Sequence, residues 1–147
     1  MSSTTCLAGI DFGTKRIGVA LSDAGRTVAV PLALYQRHNR AQDADYFRQL
    51  AVEHRIGGWV VGLPLHLSGD EMKITQVVRD FGHWLAEVTQ LPVVFWDERL
   101  TSAQAERLLA EAGIKAKQRQ EKLDKLAAQI LLQSYLDAGC PPADDSL

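Results

Sequence analysis

Residues Cys6 to Leu34, CLAGIDFGTKRIGVALSDAGRTVAVPLAL, decide the fold. Three short apolar runs, Cys6 to Asp11, Ile17 to Ser22 and Val28 to Leu34, are separated by DFGTKR and SDAGRT, both rich in turn residues. Connections this short join neighbouring strands antiparallel, because a parallel pair needs a crossover of a dozen or more residues. The reading is a three-stranded meander. Pro31 lies inside the third run and cannot donate to a ladder, which predicts an edge position for that strand.

Downstream the period changes. Phe47, Leu50 and Ala51 recur at helical spacing between Asp43 and Arg55, with Asp43 as the expected cap and Gly57-Gly58 as the stop. Trp59 to Leu63 (WVVGL) reads as a buried strand. Ile74, Val77, Val78, Phe81, Trp84, Leu85 and Val88 then keep the i, i+3, i+4, i+7 rule of an amphipathic helix. Pro92 to Trp96 (PVVFW) is a second buried strand, ending in Asp97-Glu98-Arg99. Thr101 and Gln104 form a capping box for a helix to Gly113, and a last helix spans Leu123 to Asp137. The order β-β-β-α-β-α-β-α predicts one α/β domain over residues 1–147. Right-handed crossovers then give a five-stranded mixed sheet, its first strand central, with helices on both faces.

Composition narrows the classes of function. The 147 residues carry 16 Lys+Arg against 18 Asp+Glu, a net charge of −2, with 46% hydrophobic residues. That balance suits an ordinary globular domain and excludes a generally basic nucleic-acid coat, though not a local basic strip. No apolar run approaches the ~20 residues of a membrane span. Met1 to Thr5 is short, polar and uncharged, so no secretory leader is expected. Cys6 and Cys140 stand near opposite ends and form no CxxC pair, which argues against a zinc site and for a reducing, cytoplasmic setting.

Four acids stand at the ends of regular elements: Asp11 closes the first strand, Asp97 and Glu98 the last, and Asp124 opens the final helix. Function in an open α/β sheet collects at the carboxyl ends of its strands. Carboxylates converging there suit hard cations such as Mg²⁺ or Mn²⁺, which want oxygen ligands and keep several waters. Taken singly, an Asp at a strand end is a turn former, and Asp124 in a first helical turn only complements the macrodipole. Asp124 shares a row with Ala128, Leu131 and Tyr135, at the margin of a stripe made by Leu123, Leu126, Ala127, Ile130 and Leu131. In the DFGTKRIG loop, Gly13 permits a tight turn, and Thr14 with Lys15 can approach a phosphate; the alternative is a hairpin loop whose Lys15 and Arg16 are simply solvated. His66, in the strand exit VVGLPLHLSG, is a further candidate for substrate contact. Arg99 and the cluster Lys115, Lys117, Arg119, Lys122 and Lys125 supply local positive charge in a stretch expected to move until something binds. Arg37 and Arg40 form a second basic group, after the third strand.

Four segments, GIDFGTKRIGVALSD, VVGLPLHLSGDE, FWDERLTSAQAERLL and LDKLAAQILLQSYLD, together resemble the YqgF/RuvX family across nearly the whole chain and in order. His66 departs from the family's GLPLN at its last position. The resemblance implies a ribonuclease H-like fold and a metal-dependent nuclease, with Asp11, Glu98 and Asp124 as catalytic and metal-binding acids and Asp97 in reserve. It further implies a nucleic-acid partner, either pre-16S rRNA, trimmed at its 5′ end during ribosome biogenesis, or a Holliday junction. Thr14, Lys15, Arg16, His66, Arg99, Lys115, Lys117 and Arg119 are the expected substrate contacts, on a monomer or homodimer. Two other classes remain open. One is a non-catalytic RNA-binding factor in transcription or ribosome assembly. The other is an actin-like ATPase fragment, for which D-x-G-T-x-x-x-G would be a phosphate loop but the chain is too short.

Overall fold

The computed structural model describes residues 5–64, 69–97, 110–111, 113 and 115–142; of residues 69–72 and 116–125 it describes the backbone alone. Five strands, β1 (Cys6–Asp11), β2 (Arg16–Ser22), β3 (Ala29–Gln36), β4 (Ile56–Leu63) and β5 (Val93–Asp97), form one sheet in the order β3-β2-β1-β4-β5. β1–β2 and β2–β3 pair antiparallel, β1–β4 and β4–β5 parallel. The first strand is therefore central, as a meander followed by two crossovers requires. Helices α1 (Arg40–His54) and α2 (Gly69–Thr89) cover one face, and α3 (Ala116–Asp137) the other.

Alternation along each strand divides the core in two. Ile10, Ile17, Val61 and Leu63 face α1 and α2, where the fully buried Phe47 ring meets Trp59, Phe81 and Trp84 edge-on. Leu7, Ala20 and Val60 face α3 and pack on Ala128, Leu132, Tyr135 and Leu136. The approach on this second face is close. A Cβ at Gly9 would lie 2.7 Å from the Leu132 Cβ and 2.9 Å from the Ala128 carbonyl oxygen, so only a residue without one lets the helix down onto β1.

Local chemistry shifts several expected boundaries. α1 starts at Arg40, not Asp43, because the Asn39 side chain accepts from Gln42 N at 2.8 Å and caps it. Asp43 instead turns inward and is buried. The helix ends where Arg55 adopts a left-handed conformation (φ 52), and the glycines expected to stop it, Gly57 and Gly58, already belong to β4. α3 begins seven residues before the expected Leu123, so the basic stretch after Lys115 is helical rather than a loop, and Asp124 lies past the first turn. The α3 stripe is also rotated. Ala128, Leu131 and Tyr135 are buried, whereas Leu126, Ala127 and Ile130 are half-buried, so the row of Asp124 runs down the middle of the packed face, not its margin. On α2, Val78, Phe81 and Leu85 are buried as expected, but Ile74 and Val77 stay exposed. The helix expected over 101–113 lies outside the described residues except for Ala110 and Glu111, which are helical, and Gly113, at φ 77. No described helix is long and apolar enough to cross a membrane.

β3 is the edge strand that Pro31 foretold. Asp23 N donates to the Val28 carbonyl at 3.0 Å, which sets the phase of the β2–β3 ladder and turns the Pro31 nitrogen outward, where no bond is lost. The outward groups of Ala29 are taken by α3: its N–H donates to Gln133 (2.8 Å) and its carbonyl accepts from Gln129 (3.1 Å).

Two predictions follow from the packing and the turn. Gly9→Ala should destabilise the fold by about 1–3 kcal/mol through overpacking, read by denaturant unfolding; an unchanged midpoint would mean that α3 is free to lift. The β2–β3 turn is held by the Asp23 carboxylate, which accepts from Thr27 N (2.7 Å), Thr27 Oγ1 (2.8 Å) and Val28 N (3.0 Å). The bonds from the Val28 and Thr27 backbone lower its pKa to about 2. A depressed carboxylate contributes stability above its unfolded value, ~3.9, and loses it as pH falls through the folded value. Hydrogen exchange at Thr27 and Val28 should therefore lose protection between about pH 4 and 2, and Asp23→Asn should abolish that pH dependence.

Candidate active site

Asp11 ends β1, paired with Gly18 of β2, and the chain then turns tightly through Phe12–Lys15. Gly13 is required there, because a Cβ would collide with the Arg16 carbonyl oxygen. The turn leaves a cavity of about 270 Å³ lined by Asp11, Gly13, Thr14, Lys15, Arg16, Gly18 and Leu34. Asp11 is half-buried at its wall, while Thr14, Lys15 and Arg16 are exposed at its mouth. The carboxylate and the hydroxyl offer oxygen ligands to a hard cation, and the two cationic side chains suit the phosphate that would accompany it.

Strand alternation puts Asp11 on the α3 face, with Leu7 and Gly9. A Cβ at Gly18 would meet the Ala128 Cβ and the Asp11 Cβ, both at 3.5 Å, so Ala128 sits against the same spot as Asp11. Leu132 lies over Gly9 and Ala128 over Gly9 and Gly18, so α3 runs antiparallel to β1 and its earlier turns reach the carboxyl end of the sheet. Position 124 is four residues before Ala128 on that helix, about 6 Å further along the axis. Its side chain lies outside the described residues, as do those of Lys117 and Arg119. Glu98, Arg99 and His66 lie outside them altogether.

Asp97 is described, and it points the other way. It pairs with Leu63 at the end of β5, and Leu63, Phe95 and Val93 all belong to the α1/α2 face. Asp97 is thus on the face opposite Asp11. Lys115 is exposed immediately before α3 and makes no side-chain cap. Among the described residues no group of three metal-ligating side chains is assembled, and His38, His54 and His83 form no part of one.

Three residues that sequence reasoning did not connect meet behind the loop. The buried Asp43 accepts from the Tyr35 hydroxyl (2.6 Å) and from His38 N (2.9 Å), and its other oxygen lies 3.7 Å from Arg37 Nε. Burial, and then the bond to Asp43, push the Tyr35 hydroxyl well above the usual tyrosine range. The Arg37 guanidinium lies over the Phe12 ring, 5.0 Å from its centroid. A cleft of about 220 Å³ opens beside them, walled by Phe12, Arg37, Arg40, Phe81 and Trp84. No spacing rule links Tyr35, Arg37 and Asp43; only the path of the chain from β3 into α1 brings them together.

The RuvX family, described as Holliday junction resolvase, matches residues 5–138. A protein of Cereibacter sphaeroides named "Putative pre-16S rRNA nuclease" is 45% identical over 134 residues, covering 91% of this chain and 84% of its own. A relative of the same name from Syntrophomonas wolfei is 41% identical over 133 residues, covering 90% and 94%. Among solved structures, T. thermophilus RuvC in complex with Holliday junction substrate superposes with a TM-score of 0.55 at 14% identity, over 92% of this chain and 96% of that one. This last likeness speaks to the fold, which is ribonuclease H-like. With a family match spanning both faces of the sheet and relatives above 40% identity, the chain belongs to the RuvX family.

Proposed function

We propose that the chain is a divalent-metal-dependent endonuclease that trims the 5′ end of pre-16S rRNA during ribosome biogenesis, in the cytoplasm, as one domain. The observation that carries it is Asp11 at the carboxyl end of the central strand, in a cavity whose mouth bears Thr14, Lys15 and Arg16. The names of the relatives supply the substrate.

In this reading Asp11, Glu98 and Asp124 hold Mg²⁺ or Mn²⁺. Two arguments support the choice. The Asp124 row is the packed row of α3, one turn from the Ala128 that touches the Asp11 surroundings. Alternation puts Asp97 on the wrong face, which favours its neighbour Glu98 as the acid from β5. Asp11 is separated from β5 by two strand spacings of ~4.8 Å, a span that carboxylate side chains can close from both sides. Metal bound there would supply an activated water and stabilise the leaving oxygen of a phosphodiester. The chain's own part is to hold the phosphate. Lys15, Arg16, Arg99, Lys115, Lys117 and Arg119 draw in the backbone, Thr14 offers a hydroxyl, and His66 is a further substrate contact.

The family description favours a second reading, cleavage of a Holliday junction. Mn²⁺-dependent cleavage of a pre-16S fragment and of a four-way junction, assayed side by side, separates the two; cleavage of neither, with no metal bound, would point to a non-catalytic RNA-binding factor.

Asp11→Asn should abolish Mn²⁺ binding in calorimetry while leaving the melting temperature unchanged or slightly raised, since carboxylate repulsion is relieved. Its cleavage rate should fall by more than the roughly 10–100-fold that loss of an outer-shell metal partner costs; Mn²⁺ binding at wild-type strength would overturn the assignment. Replacing Lys115, Lys117 and Arg119 together with Ala should weaken RNA binding regardless of sequence. The logarithmic salt slope should flatten by roughly 0.7–0.9 for each lost phosphate contact, while cleavage at saturating RNA stays nearly unchanged. Equal binding at every salt concentration would move the strip elsewhere.

A further inference from the structure

We propose that Arg37 is a positioning residue that holds the Phe12–Lys15 loop in its substrate-facing shape by gathering three successive loop carbonyls. Its role deepens the nuclease reading and rests on it for the meaning of "substrate-facing". The geometry of the clamp does not. The Arg37 guanidinium donates through Nη1 to the Thr14 carbonyl at 3.3 Å and to the Gly13 carbonyl at 3.5 Å. Its backbone N–H donates to the Lys15 carbonyl at 2.9 Å. The same guanidinium lies over the Phe12 ring, 5.0 Å from its centroid, so one residue touches every member of the loop.

The two side-chain bonds are long, and singly each is weak. Their effect comes from convergence on a group that is itself anchored. Asp43, with its side chain only 5% exposed, holds the Arg37 Nε side at 3.7 Å. That carboxylate is fixed in turn by Tyr35 and by the backbone of His38. Tyr35 is pinned by stacking on Tyr46, with centroids 3.8 Å apart and planes 11° from parallel. The chain of contacts runs from a rigid aromatic layer, through a buried acid, to the loop beside Asp11.

Peptide planarity gives the clamp its consequence. All peptide bonds described are trans, and a trans unit points its N–H opposite to its C=O. Carbonyls of Gly13, Thr14 and Lys15 drawn toward Arg37 therefore turn the N–H groups of Thr14, Lys15 and Arg16 away from it. Arg37 is absent from the lining of the Asp11 cavity, whereas Thr14, Lys15 and Arg16 belong to it. Successive N–H groups presented to one side make an anion-binding concavity, here for a phosphate oxygen. Arg37 itself is occupied by Asp43 and the loop, so it acts through the backbone and is not itself the phosphate's cation. A lysine cannot replace it: an ammonium has neither the planar surface for Phe12 nor the fork that reaches two carbonyls and a carboxylate at once.

The test compares wild type, Arg37→Lys, Arg37→Gln and Arg37→Ala in the full chain without metal, by ¹⁵N relaxation and by cleavage kinetics. Thr14 and Lys15 should show order parameters near ~0.85 in wild type, falling toward ~0.6 in the Ala and Gln variants, with Lys between. The overall melting curve should stay cooperative. With Mn²⁺ and pre-16S fragment, kcat should fall by about 10²-fold in Arg37→Ala, as a misplacement near 1 Å costs, while the Mn²⁺ affinity changes little. Millimolar guanidinium should recover part of that loss in the Ala variant and none in wild type. Order parameters unchanged in all three variants would overturn the proposal whatever the kinetics. If wild type cleaves nothing, the nuclease reading fails, and the relaxation data still decide whether Arg37 holds the loop.

Discussion

The distance between α3 and the central strand is the constraint on which the rest of the structure depends. At Gly9 the helix sits so low that no Cβ fits beneath Leu132 and Ala128. That contact sets the height, tilt and register of α3 over the sheet. Because the helix runs antiparallel to β1, its register decides which of its residues arrive at the carboxyl end of that strand. A half-turn slip would bring a different row to Asp11. The packing of small residues at one crossing thus governs where an acid from the far end of the chain stands relative to an acid from its start.

The two faces of the sheet then divide the work around a single loop. On the α3 side lies the Asp11 cavity, open and polar. On the α1/α2 side lies an aromatic layer built from Phe47, Trp59, Phe81 and Trp84, into which Phe12 inserts against Phe81 at 4.7 Å. The loop from Phe12 to Lys15 crosses between them, one end in the apolar layer and the other exposed. Its few residues inherit rigidity from one face and offer polar groups to the other. Asp43 illustrates the exchange. It is spaced like a helix cap, yet Asn39 takes that role and releases the carboxylate to serve inside the molecule.

The sequence revealed the three-stranded meander, the central place of β1 and the edge place of β3, because hairpin length and a proline's missing donor act locally. The limits of the helices were harder to read. α3 starts at Ala116 within a run of lysines, arginines and glutamines that carries no apolar stripe, so periodicity had nothing to register. The rotated stripe has a related cause: leucines and alanines surround the α3 axis, and only the glycines of β1 and β2 select which of them go under. Asp11 and its loop were legible as turn chemistry. Arg37 was read as one of two basic residues after a strand, since its partners are a buried acid and three carbonyls that composition cannot reveal.

The outer rim of β3 bears on what copies of this chain do to one another. Val30, Leu32 and Leu34 are exposed along it, and an apolar border strand ordinarily invites another chain to add on by ladder bonds. Here the invitation is withdrawn at successive outward positions. Ala29 has both of its outward groups engaged by glutamines from α3, and Pro31 has no hydrogen to give. The irregularity opposite Val19 and Ala20 then bends the strand just past them. An incoming strand would find neither a continuous row of donors nor a flat line to follow. As a template for another chain, the apolar border of β3 is thus interrupted at Ala29 and Pro31.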